Sequence, residues 1–241
     1  MLILAVNGSA RQERGYTQVV LDRFLAGAAA AGAEFETIYP AALDIKPCLS
    51  CWQCWFKTPG RCVQDDDMAG VLGRMRAADV IVLATPIYID HLTAQLKTLV
   101  DRMMPLMDFD FEMDENGQWR HPVRDGFAPG LVLISVCGFP ERETFLPVRV
   151  WFKRFARNFH GRILGEICFP ATVVLQGKSD LATAHLDLTE RAGRELALTG
   201  TITPEVLSAL ERDYLSPKKF GEAIQGFRRA ARAKLDRLEG R

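Results

Sequence analysis

The chain has 241 residues, 30 acidic and 30 basic side chains and a hydrophobic share of 48%. This balance gives no global field of the kind that recruits nucleic acid or an anionic membrane, and neither is expected as a partner. Its apolar runs are strand-sized and interrupted, so none is expected to cross a bilayer, and a cytoplasmic location follows.

The opening Leu2 to Val6 is a continuous apolar run ending in Asn7-Gly8-Ser9. With no basic n-region or cleavage site it reads as a buried parallel strand and not as a signal peptide. Thr17 to about Ala31 repeats apolar residues at helical spacing, with Thr17 placed to cap and Gly32 to stop the helix. Glu34 to Tyr39 is a second strand. Asp65-Asp66-Asp67 opens a helix to about Arg76, where capping and dipole compensation explain the carboxylates. Val80 to Ala84 is the next buried strand, followed by a helix from about Leu92 to Met104.

Between Asp108 and Val123, two alternating segments flank Asn116-Gly117, which predicts a β-hairpin. Leu131 to Val136 and Ile163 to Phe169 complete the core strands, with a helix of about Thr144 to Phe159 between them. The remainder is helical: roughly Leu181–Leu198, Pro204–Arg212 and Pro217–Leu238. Alternation of strands and helices predicts an α/β fold with a doubly wound five-stranded parallel sheet. Residues 1–176 are assigned to the sheet domain and 177–241 to a helical extension packed on it. The basic residues from Arg228 to Arg241 read as a solvated helix face.

In such a sheet, ligands bind beyond the carboxyl ends of the strands, where the winding reverses. The loop after the first strand has neither a dinucleotide nor a Walker fingerprint. It does offer Ser9, Thr17, Arg11, glycine-freed amides and a helix N-terminus, a set suited to a phosphate dianion. Thr85-Pro86-Ile87-Tyr88-Ile89 should lie beside it, and Ser135-Val136-Cys137-Gly138 should form a third wall. Cys137 reads as a small packed residue, Cys168 as core, and His91 as a surface or capping residue without a catalytic part. No general acid or base is assigned.

Cys48, Cys51, Cys54 and Cys62 follow the spacing C-x₂-C-x₂-C-x₇-C. Zinc would accept four thiolates but usually finds them in pairs split by a longer spacer. A redox dithiol would use only two of them. A [4Fe–4S] cluster uses all four. Trp52, Trp55 and Phe56 either shield such a centre or belong to an apolar contact between subunits.

These motifs carry a family resemblance. Gly8-Ser9-Ala10-Arg11 through Gly15-Tyr16-Thr17 resembles the FMN-phosphate loop of the flavodoxin-like NAD(P)H-dependent FMN reductases. Pro86, Ile87, Tyr88 and Ile89 resemble their flavin-ring loop, and Leu96-Lys97 with Asp101-Arg102 the helix after it. The cysteine loop running into Asp65-Asp66-Asp67-Met68 is similar to the iron–sulfur flavoprotein branch. The resemblance covers roughly residues 1 to 175 and implies strand order 2-1-3-4-5, bound FMN and an oligomer, a homodimer or homotetramer. The function it implies is FMN-dependent electron transfer from a nicotinamide or ferredoxin donor, with the cofactor carrying the chemistry. A cluster-free NAD(P)H:FMN or quinone reductase is the alternative within that class. A non-enzymatic thiol or metal redox sensor is the alternative outside it.

Overall fold

The computed structural model describes residues 1–177 and 182–239. Five parallel strands form the central sheet: β1 (Leu2–Asn7), β2 (Glu34–Ile38), β3 (Val80–Pro86), β6 (Gly130–Val136) and β7 (Arg162–Phe169). Two short antiparallel strands, β4 (Glu112–Met113) and β5 (Trp119–Arg120), form the hairpin. The sheet order is β2-β1-β3-β6-β7, which is the expected 2-1-3-4-5 once the hairpin strands are set aside. β1, β3 and β6 are apolar along their lengths because helices cover both faces. The edge strand β2 instead carries exposed Glu34 and Glu36.

Helices α3 (Met68–Ala77), α4 (Ala94–Asp101) and α5 (Leu146–Asn158) pack on one face through Leu72, Leu96, Leu99 and Phe152. On the other face lie α1 (Tyr16–Ala30), α6 (Thr183–Thr199) and α7 (Pro204–Leu210), contributing Phe24, Leu196 and Val206. α1 and α6 nearly touch backbone to backbone. A Cβ on Gly27 would stand 1.8 Å from the Glu190 carbonyl oxygen, and one on Gly193 would stand 1.9 Å from that of Phe24. The first residues of α8 (Pro217–Glu239), Phe220 and Ala223, join this second core, whereas Phe227, Leu235 and Leu238 are exposed. The expected helix start at Leu181 lies outside the described residues, as does the end of the basic run at Arg241.

Several boundaries differ from the sequence reading for local reasons. Thr17 is not a cap but a buried residue inside α1, and extended Gly15 precedes the helix instead. A Cβ at Gly15 would come 2.6 Å from Ser9 Oγ, so this approach admits no side chain. α4 starts at Ala94, where Thr93 Oγ1 accepts the Leu96 amide, and stops before Pro105, which has no amide to continue it. α3 starts only at Met68, whose amide Asp66 accepts at 3.1 Å while also pairing with Arg102, and Asp67 turns its side chain to the Asp44 amide. The hairpin strands are two residues each; Asp114 accepts the Asn116 and Gln118 amides, and Arg157 of α5 pairs with it at 2.6 Å.

Candidate functional site

The loop leaving β1 is organised from below. Buried Asn7 accepts the Ser9 amide at 2.9 Å and donates to Gln18 Oε1 at 2.7 Å. Ser9 Oγ accepts the Arg11 amide, and a turn at Gln12–Arg14 leads into α1. Ser9, Gly15 and Thr17 therefore lie beneath the loop, while Ala10 and Arg11 face solvent and Tyr16 is half-buried. Gly8 is the pivot: a Cβ there would meet Leu96 Cβ at 2.7 Å, so only glycine lets α4 pack this closely.

The second loop is bound to the first. Thr93 Oγ1 donates to the Gly8 carbonyl at 2.6 Å, and the Thr93 amide donates to Thr85 Oγ1. β3 continues through Pro86, then Tyr88 and His91 exchange backbone hydrogen bonds around Ile89 and Asp90. Both central residues are left-handed, at φ 46° and 58°, and Ile89 is 96% exposed. For a β-branched residue this costs about 1–3 kcal/mol, and such strain is typically retained at ligand-binding turns. Half-exposed Tyr88 stands beside it, and Ile87 packs against the core.

The Ile87 amide donates to the Val136 carbonyl, which joins the third loop to the second. Ser135 is fully buried and its Oγ has no partner. Cys137 Sγ accepts the Phe139 amide, and burial pushes its thiol up. Burial also pushes the Cys168 thiol up, to about 12. Gly138 is exposed, with open space where a side chain would lie. The loops carrying the expected flavin contacts thus share one end of the sheet, joined by backbone and threonine hydrogen bonds. His91 faces Trp151 at 6.3 Å and pairs with Tyr88 only through backbone.

The cysteine loop is built differently. Apart from α2 (Gln53–Phe56) it has no regular structure between Leu43 and Cys62, and Ser50 and Trp52 are left-handed. Cys48, Cys51, Cys54 and Cys62 all line one cavity of about 330 Å³, with Trp52, Met104, Pro105 and Arg102 also in its wall. All four thiols are free, the first two exposed and the others half-buried. Burial pushes the Cys54 thiol up, and the negative charge of Cys62, Cys48 and Cys51 pushes it further, so the four sulfurs feel one another. Among the described residues, no three cysteine, histidine or acidic side chains converge on the point a single metal ion would take.

Polar anchors hold the loop. Arg102 follows the last turn of α4 and is 1% exposed. It donates to both Asp66 oxygens, to the Lys46 carbonyl at 2.6 Å and to Cys62 Sγ at 3.3 Å. Burial alone would raise the Asp66 carboxyl, but Arg102 and the Lys46 and Met68 amides outweigh it and hold the group below its usual range. Asp67 accepts the Asp44 amide, and Trp55 Nε1 donates to the Met104 carbonyl. Trp55 also lies 4.8 Å from the His121 ring of the hairpin, while Trp52 and Phe56 remain exposed.

The sheet order and the three joined loops define a flavodoxin-like fold. The NADPH-dependent FMN reductase family profile matches residues 1–122. The chain belongs to that family. It is 38% identical over 106 residues to an iron–sulfur flavoprotein of Methanocaldococcus jannaschii, covering 44% of this chain and 53% of that one. An iron–sulfur flavoprotein of Methanosarcina thermophila is 34% identical over 113 residues, 47% of this chain and 58% of the relative. The chain thus spans about half the length of the curated relatives it matches. Among solved structures, an NAD(P)H:quinone oxidoreductase from Methanothermobacter marburgensis superposes with a TM-score of 0.61 at 14% identity, over 81% of this chain and 96% of that one. At that identity the likeness concerns the fold.

The sequence reading missed the residues that organise the site from behind. Asn7, Gln18 and Thr93 are buried polar groups whose partners lie on other elements. Asp66 was hidden in a run that also reads as a helix cap, and Arg102 stands 40 residues from the cysteine it touches. The available signal was the family resemblance, whose motifs include Asp66 and Arg102 without giving either a role.

Proposed function

We propose that this chain is an FMN-dependent oxidoreductase that passes electrons between a reduced donor, NAD(P)H or ferredoxin, and an acceptor through FMN and a cysteine-ligated [4Fe–4S] cluster. The observation that carries this reading is the shared support of the two half-sites by α4. Thr93, before its first turn, bonds the β1 loop, and Arg102, after its last, bonds Cys62. A donor set of four thiols around one cavity, with a guanidinium in its wall, suits a thiolate-ligated centre. Cys48, Cys51, Cys54 and Cys62 would hold it. The phosphate of FMN would meet the Ala10, Arg11 and Tyr16 side of the first loop, above the Ser9, Gly15 and Thr17 floor. Pro86, Ile87, Tyr88 and Ile89 would line the ring from one side, and Cys137 and Gly138, over buried Ser135, from the other. Bound there, FMN supplies hydride and single-electron chemistry and a cluster supplies single-electron chemistry.

The exposed Tyr88–Ile89 turn leaves room for an isoalloxazine edge, and the buried Cys137 thiol keeps a competing nucleophile neutral beside it. The working assembly in this reading is a homodimer or homotetramer. Protein purified without air should show a flavin spectrum and oxidise NADH or NADPH with an added acceptor. Colourless protein that takes up no FMN on reconstitution would overturn the proposal.

A second reading is a cluster-free NAD(P)H:FMN or quinone reductase. The exposure of Cys48 and Cys51 favours it. Turnover without iron in anaerobically reconstituted protein would select this alternative.

A further inference from the structure

Arg102 is the largest fully buried side chain among the described residues, and its environment is unusual for so hydrophilic a group. Both terminal nitrogens are committed. One donates to Asp66 and the Lys46 carbonyl, the other to Asp66 and Cys62 Sγ. Nε has no partner. The two-pronged pair with Asp66, whose side chain is 0% exposed, fixes the guanidinium plane, and in turn the direction of the N–H aimed at Cys62. Lys46 lies just before the first cysteine and Asp66 just after the last, so a single guanidinium clamps both stems of the loop.

Only one of the four sulfurs receives this treatment. Among the described residues, Cys48 Sγ accepts a backbone amide at 3.5 Å from Ser50, and Cys51 and Cys54 Sγ have no donor within hydrogen-bond range. A charge-assisted N–H directed at sulfur stabilises the more negative of two redox states. Burial strengthens that preference, because water cannot screen it.

We propose that Arg102 is a positioning residue that raises the reduction potential of the centre held by Cys48, Cys51, Cys54 and Cys62, by donating to Cys62 from a geometry locked by Asp66. The inference rests on the cluster reading above. Among the four cysteines, Cys62 would be the ligand whose negative charge Arg102 favours, and Arg102 directly follows α4.

The test is an anaerobic dithionite titration, with mediators, of wild-type, Arg102→Lys and Arg102→Gln proteins, each normalised to its iron and FMN content. Lysine keeps a cation but cannot make the paired contact and the sulfur contact together; glutamine removes the charge. The expected result is a fall in the reduced-to-oxidised ratio of the centre at fixed potential, larger for Arg102→Gln than for Arg102→Lys. A tenfold fall corresponds to about 59 mV for a one-electron couple. The FMN couple should move much less, and the EPR signal of the reduced centre should change shape. Equal potentials in all three proteins would overturn the inference while leaving the cluster reading intact. Loss of iron from both variants with flavin retained would also overturn it, reducing Arg102 to a structural clamp. Wild-type protein that takes up no iron after reconstitution contradicts the cluster reading itself, and the inference with it.

Discussion

The loops that end β1, β3 and β6 and the cysteine loop are held at opposite ends of α4, by different forces. The former end strands that are buried on both faces, so apolar packing sets their positions and the polar contacts only join them. The latter has almost no regular structure and little core of its own. The buried Arg102–Asp66 pair, the Lys46 and Asp44 amides bonded to Asp66 and Asp67, and one indole N–H fix it instead. Apolar packing tolerates gradual change, whereas a buried charge tolerates its partner's removal poorly. Substitutions should therefore separate the two regions cleanly.

The sharpest separation is expected from Asp66→Ala, which strands Arg102 as an unpaired buried cation. The cost should be about 3–5 kcal/mol, read as a fall in the urea midpoint, and iron uptake should be lost. Phe152→Ala, in the core beneath the sheet, should cost a similar ~3–5 kcal/mol yet leave iron per folded molecule unchanged. If both variants lost iron equally, the two regions would not be independently supported.

Acid should strike the sheet-packed side through His185, on α6 and 3% exposed between Phe169 and Tyr214. Burial, helped by Arg142, pushes its pKa down to about 4. The folded state thus binds this proton less readily than the unfolded chain does. Its contribution is present above about pH 6.5 and is lost as pH falls toward the folded value, a change on the order of 3 kcal/mol. His185→Phe should flatten this part of the stability–pH curve, and an unaltered slope would rule out His185 as its source.

Smaller effects should resolve the Thr93 end of α4. Gly8→Val should push Leu96 away and cost about 1–3 kcal/mol, weakening FMN binding, measured by flavin fluorescence, more than iron uptake. Thr93→Val removes both a helix cap and the bond to Gly8, at about 1 kcal/mol. Its effect should again fall on flavin release and leave the iron content unchanged.

How much was legible in the sequence follows the same division. Strands such as Leu2–Asn7 and Val80–Pro86 announce themselves because double burial demands an uninterrupted apolar run; their alternation with helices gave the parallel sheet, and the family resemblance gave its order. The cysteines were legible as a set by spacing, and the structure brings all four to one cavity. What held them was not legible. The partners of Arg102 are distant in sequence, and nothing local distinguishes Asp66 from its neighbours Asp65 and Asp67. Thr17 was misread as a cap because the close approach of Gly15 to Ser9 is a tertiary fact. The hairpin was legible from its alternation and its Asn116-Gly117 turn, and the structure pairs Glu112–Met113 with Trp119–Arg120 there.

The most direct measurement is a simultaneous count of FMN, iron and acid-labile sulfide in protein prepared and kept without oxygen. The expected result is about one FMN with about four iron and four sulfide per chain. Stoichiometric flavin with no iron after reconstitution would contradict the pairing of the two centres across α4.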